Sequence, residues 1–194
     1  MEKFAVIDTE TNWLDEVMSI GIVIANSDTF DACELKYYII CPECFLGGMF
    51  SNTLRIKFGF KCKQMECTRK EAIYDLIKLL KTNNVTKIFA YNATFDYRHL
   101  PELQSLFTWY DIMRLAAYKQ YNPKINEADC YATGRLKRDY GVENIKKLLT
   151  GLNGEYHNAL YDALDELNCI MKPLGHKLDK YIELYPKKQK VKNR

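Results

Sequence analysis

No apolar stretch in this chain can cross a bilayer as a helix: the longest clean run, Ile20–Ala25, falls far short of the ~20 residues needed. No secretory leader precedes the strand-like stretch entered by Phe4, so a cytoplasmic protein with no membrane partner is expected. The cysteines are seven, an odd count. Without an export signal they are expected to be reduced thiols and not a disulfide framework. Internal repeats and linkers are also missing, which predicts one domain over residues 1–186 followed by a basic tail, 187–194. That tail has no acid at all. From Lys187 to Arg194 it holds five basic side chains, and they account for the net charge of +3. Without them the 28 basic residues fall below the 25 acidic ones. Such an end frays in solvent, and it either attracts a polyanion or serves as a solubilising terminus.

With 47% apolar residues in 194, the chain can bury a sizeable core. Lys3 to Asp8, Val17 to Ala25 and Ala32 to Cys41 read as three strands, joined by links short enough for antiparallel hairpins. Thr68 opens a helix as its cap, with Glu71 completing a capping box, and Ile73, Leu76, Ile77 and Leu80 form its buried stripe. Lys87 to Tyr91 reads as a fourth strand, Thr94 as the cap of a short helix, and Thr108 to Ile112 as a fifth strand. A helix follows through Leu115 and Tyr118, broken by Asn122-Pro123. Asn144 to Leu149 and Ala159 to Met171 are further helices, the last ended by Pro173. The pattern is α/β: a mixed five-stranded sheet of three antiparallel strands plus two parallel ones, flanked by helices.

Three short clusters carry chemistry. Asp8 and Glu10 are two apart on a strand, so both carboxylates face one way and can reach one hard cation. By itself Asp8 could instead merely end a strand at a turn. Asp96 follows Thr94 closely, where an acid also suits a helix dipole. His157 and Asp162 would sit roughly 140° apart on one regular helix. They share a site if His157 lies in the preceding turn, with Asn158 at the cap. His99 and His176 have no comparable setting.

Taken together, Ala5-Val6-Ile7-Asp8-Thr9-Glu10-Thr11, Tyr91-Asn92-Ala93-Thr94-Phe95-Asp96 and His157 through Asp162 resemble the three motifs of the DEDDh exonucleases, the superfamily of the DnaQ-like proofreading enzymes. Tyr91 stands where many members have His. Trp109 through Ala116 resembles the strand-to-helix element between the second and third motifs. The resemblance implies a ribonuclease-H-like fold and 3′-to-5′ hydrolysis that releases nucleoside 5′-monophosphates. It implies that Asp8, Glu10, Asp96 and Asp162 bind two Mg²⁺ or Mn²⁺ ions, with His157 as general base. The partner would be the 3′ end of single-stranded DNA or RNA. A homodimer or a polymerase partner is compatible with it, as is a nucleic-acid-binding module without activity.

Around these motifs, Trp13 and Leu14 are candidates to stack on a terminal base; the resemblance implies that Asn92 contacts the terminal nucleotide, with Thr9 and Thr11 as further substrate-binding candidates. Two basic groups are candidates to track phosphates: Arg55, Lys57, Lys61, Lys63, Arg69 and Lys70, and then Arg135, Lys137, Arg138, Lys146 and Lys147. Cys41-Pro42-Glu43-Cys44 with Cys62 and Cys67 resembles a structural Zn²⁺ ribbon, with Leu54, Ile56 and Phe58 alternating as a ribbon strand would. Reduced core thiols are the default.

Overall fold

Side chains along the first strand, β1 (Lys3–Thr11), divide between two apolar layers. Phe4 and Val6 face one layer, Ala5 and Ile7 the other, as a period of two requires. The computed structural model describes residues 2–185, so the basic tail 187–194 lies outside the described residues. β1 pairs antiparallel with β2 (Val17–Asn26), which pairs antiparallel with β3 (Ala32–Ile40). On its other side β1 pairs parallel with β5 (Lys87–Ala90), and β5 with β6 (Thr108–Asp111).

The sheet has six strands, in the order β4-β3-β2-β1-β5-β6, one more than the sequence predicts. The additional strand is β4 (Lys63–Cys67), which runs parallel to β3 at the sheet edge. In Lys-Gln-Met-Glu-Cys the apolar alternation is confined to Met65 and Cys67, and only Cys67 is buried, too short a period to mark a strand; backbone pairing with β3 holds it. The ribbon strand expected at Leu54, Ile56 and Phe58 does not form. A 3₁₀ turn over Ser51–Thr53 precedes that stretch, and Leu54 and Phe58 pack into the core without a strand partner.

Helix α1 (Arg69–Thr82) covers one face with Ala72, Ile73, Leu76 and Leu80, and begins on the predicted Thr68–Glu71 capping box. Three helical boundaries differ from expectation. α2 (Thr94–His99) starts at Thr94 and is not capped by it. The preceding turn is set by Asn92 (φ 56), whose N–H donates to Asp111 Oδ1 at 3.1 Å. The helix predicted through Tyr118 is one turn long, α3 (Met113–Ala116), and ends before Asn122-Pro123 is reached. α4 (Val142–Thr150) closes at Gly151. α5 (Ala159–Asp165) runs on through wider π-type turns over Glu166–Met171 and a last turn, Lys172–Leu174. Pro173 lies within that last turn; Gly175, left-handed at φ 66, ends it.

α5 covers the second face with Leu160, Ala163, Leu167, Ile170 and Met171. It reaches the sheet at backbone contact. A Cβ on Gly21 would lie 2.2 Å from the carbonyl carbon and oxygen of Ala159 and from Leu160 N. Gly21 is the β2 residue paired with Asp8, so the bare glycine seats the start of α5 beside Asp8. Gly21→Ala is expected to cost about 3 kcal/mol, the upper end of overpacking penalties, because the obstructing atoms are backbone. Denaturant unfolding measures this. A variant as stable as the parent would show that the helix does not need the close approach.

Candidate active site

The alternation that buries Phe4 and Val6 carries on to Asp8 and Glu10, which therefore emerge on the α5 side of the sheet. Asp162 lies one turn into α5. Its helix is capped by Asn158, whose Oδ1 accepts from Leu160 N at 3.2 Å and Tyr161 N at 3.4 Å. Asp8, Glu10 and Asp162 each place a carboxylate oxygen within 4.8 Å of the others'. Asp96, buried in the first turn of α2, accepts from Thr9 Oγ1 at 2.8 Å. These residues line a cleft of about 490 Å³ together with Thr9, Thr11, Trp13, Tyr91, Asn92 and His157. Leu14 stands exposed outside that lining.

His157 sits in the turn before α5, at a left-handed φ of 49. Its ring stacks on Phe50, with centroids 4.0 Å apart and planes 11° apart. Its carbonyl accepts from the Thr53 hydroxyl. Asn158 Nδ2 donates to Thr53 O at 2.9 Å and to the Tyr37 hydroxyl at 3.0 Å. The long β3–β4 connection thus grips the turn that carries the imidazole. Glu155 Oε2 lies 3.8 Å from His157 Nδ1.

Several cleft residues escape the sequence reading, Glu166 foremost. Glu166 is 2% exposed, lines the cleft, and its Oε2 has no hydrogen-bond partner. It follows Asp162 by one helical turn, and that i,i+4 spacing was the available signal. Glu155 and Phe50, which also line the cleft, come from stretches without any motif.

Electrostatics sets what the cleft demands. Burial pushes Glu10 up to about 8, helped by Asp162, Asp96 and Glu155. Burial raises Asp162 to about 7, with Glu155 and Asp165 adding to it. Asp96 also rises to about 7 through burial, offset in part by the Thr9 hydrogen bond. Asp8 and Glu166 are held well above the carboxylate range by burial and by neighbouring carboxylates. Among the described residues no Lys or Arg forms an ion pair with any of these acids. Asp162 Oδ1, like Glu166 Oε2, is buried without a partner. A set of hard oxygen donors with orphaned lone pairs and mutual repulsion fits divalent cations.

Five of the eleven predicted basic side chains form ion pairs away from the cleft. Arg55 pairs with Glu66, Lys63 with Glu34, Arg69 with Glu102, Arg138 with Asp139 and buried Lys146 with Asp165. The four-cysteine zinc set does not assemble either. Cys41 and Cys44 meet at 3.0 Å between sulfurs. Cys67 pairs with Ile40 and joins the α1-side core, and Cys62 stays outside the group around Cys41.

The strand order and the acid-lined cleft define a ribonuclease-H-like α/β fold. No protein-family model and no curated protein sequence matches the chain. Solved structures do. The 3′-exonuclease that recognises the histone mRNA stem-loop superposes with a TM-score of 0.61 at 12% identity, over 95% of this chain and 71% of that one. The nuclease domain of 3′hExo, a DEDDh family member bound to rAMP, gives 0.58 at 14%, over 87% and 89%. E. coli Exonuclease I in complex with a dA16 oligonucleotide gives 0.56 at 16%, over 92% of this chain and 42% of that one. The chain has the DEDDh exonuclease fold.

The raised acids bind protons more tightly folded than unfolded. Metal-free protein should therefore lose stability as pH rises from the ordinary carboxylate range through about 7 to 8. In chelator, the melting temperature should be higher near pH 5.5 than near pH 8.5. Glu166→Gln should raise the value at the higher pH, and Mn²⁺ should raise it more there than at the lower pH. A melting temperature that climbs with pH in chelator would contradict the account.

Proposed function

We propose that the protein is a metal-dependent 3′-to-5′ exonuclease of single-stranded nucleic acid or short oligonucleotides, releasing nucleoside 5′-monophosphates. The observation that carries this reading is the convergence of Asp8, Glu10 and Asp162 within 4.8 Å of one another in a cleft that His157 also lines. Support comes from neighbours of the same fold, one solved with rAMP and one with a dA16 oligonucleotide.

Asp8, Glu10, Asp96 and Asp162 would hold two Mg²⁺ or Mn²⁺ ions, which supply charge neutralisation for a phosphoryl displacement. Thr9 fixes the Asp96 carboxylate through its hydroxyl. Glu166 lines the cleft beside these acids and lies outside the predicted ligand set. His157 takes the proton of the attacking water on its imidazole, the side chain suited to that exchange near neutral pH. Phe50 holds the ring plane, and the Glu155 carboxylate lies 3.8 Å from Nδ1. Trp13, 67% exposed on the cleft wall, offers a face for the terminal base, with Leu14 beside it. Asn92 and Thr11, which line the cleft, would contact the terminal nucleotide.

Asp162→Asn removes a charge from a repelling group, so the fold should persist while metal-dependent hydrolysis is lost. Undiminished hydrolysis by that variant would refute the assignment. His157→Ala should slow turnover by about 10²–10⁴-fold, the usual contribution of a general base, while oligonucleotides still bind. Products from end-labelled DNA and RNA oligomers, with Mg²⁺, Mn²⁺ or chelator, measure both effects. Internal cuts in place of 5′-mononucleotides would point to a different nuclease.

A further inference from the structure

Outside the cleft, Cys41, Cys44 and Glu66 each place one ligand atom within 4.8 Å of the others. The geometry points to a second metal site, one for a thiophilic divalent cation of the Zn²⁺ type, that ties the start of the β3–β4 connection to β4. It stands independently of the nuclease reading.

The site follows from the backbone. β3 ends at Ile40, and the 3₁₀ turn Glu43–Phe45 folds Cys44 back to Cys41, bringing the sulfurs to 3.0 Å. On the neighbouring strand Glu66 pairs with Ile39 and Cys67 with Ile40. Ile39 faces the core layer that contains Cys44, and Ile40 faces the α1 layer. Strand alternation therefore delivers Glu66, and not Cys67, to the cysteine pair. Glu66 Oε1 lies 3.4 Å from Cys41 Sγ.

Two sulfurs and one carboxylate are the donors of a borderline-soft ion, and they distinguish this cluster from the all-oxygen cleft. Arg55 supplies the outer contacts such sites use. Its Nη2 donates to Glu66 Oε1 at 2.6 Å and to Cys44 Sγ at 3.7 Å. Those bonds orient the carboxylate and offset charge: two thiolates and a carboxylate are balanced by a divalent cation plus one guanidinium. Without a cation, burial, Cys44 and Glu66 push the Cys41 thiol up to about 12, so metal loading releases protons. Cys41 and Glu66 both reach solvent, which leaves a water to complete four-coordination. The connection so anchored is the one whose Phe50 and Thr53 hold His157.

The test uses the full chain, reduced and stripped with chelator, then titrated with Co²⁺. One equivalent should give the near-ultraviolet charge-transfer absorption that only thiolate ligation produces, and Zn²⁺ should displace it. Cys41→Ser and Cys44→Ser should abolish the band. Glu66→Gln, at an exposed position that tolerates change, should weaken Co²⁺ affinity at least tenfold. Cys62→Ser should leave the band intact. Asp162→Asn should also leave it intact, because ions held by the cleft oxygens give no such absorption. Zn²⁺ should raise the melting temperature of Asp162→Asn more than that of the double variant Asp162→Asn with Cys41→Ser, in which the cleft contribution is the same. Reduced, folded protein that binds Co²⁺ without the band, or a band that survives Cys41→Ser and Cys44→Ser together, overturns the proposal.

Discussion

Everything in this molecule that bears on the cleft depends on one close approach, the backbone of Ala159 and Leu160 lying against Gly21 where a side chain would stand. Gly21 pairs with Asp8 across the β1–β2 ladder. The missing side chain therefore opens space beside the first acid, and the start of α5 fills it. Asp162, three residues beyond Ala159, is carried to Asp8 and Glu10 by that seating. His157, two residues before Ala159, is carried to the cleft wall. The constraint is steric and local, yet it joins a strand near the start of the chain to a helix near its end.

That seating forces an electrostatic conflict that the rest of the fold has to sustain. Asp8, Glu10, Asp96, Asp162 and Glu166 share a poorly hydrated volume, and burial raises every one of them. The apolar layers on the two sheet faces, from Phe4 and Val6 on one side to Ile22 and Leu76 on the other, hold the carboxylates together against their repulsion. With no Lys or Arg paired to these acids among the described residues, the scaffold presents a standing preference for external cations. Under the proposed function, the same preorganisation means that the acids need no rearrangement when a phosphate arrives.

Much of the fold and most of the cleft were legible because they rest on short-range rules. Alternation along Lys3–Thr11 assigned Asp8 and Glu10 to one face. The angular mismatch between His157 and Asp162 placed the histidine in the turn ahead of the helix, where the structure has it. Glu166 escaped because an acid one turn after another reads as a solvated helix face; only the tertiary packing of α5 buries it. β4 escaped because an edge strand held by parallel pairing needs no apolar period. Thr94 read as a cap by residue type, but Asp111 orders that turn from another strand. The four-cysteine set failed for a related reason. Spacing along the chain says nothing about which side of a strand a residue takes until the strand itself is recognised, and once β4 is in place Cys67 belongs to the opposite layer from Cys44.

The β3–β4 connection links the cysteine cluster to the cleft. Its first residues carry Cys41 and Cys44, its middle carries Phe50 and Thr53, and its far end leads into Glu66. Phe50 stacks on the imidazole, and Thr53 donates its hydroxyl to His157 O while its carbonyl accepts from Asn158 Nδ2. His157 occupies a left-handed conformation that a non-glycine residue does not favour unaided. These contacts compensate for that cost, and they come from a connection with little regular structure of its own. Order in such a segment has to be imposed at its ends. β3 imposes it at one end by hydrogen bonding, while β4, short and at the sheet edge, holds the other more weakly. A cation gripped by Cys41, Cys44 and Glu66 would join those two ends directly, lowering the entropy of the loop between them and with it the freedom of the ring that Phe50 holds.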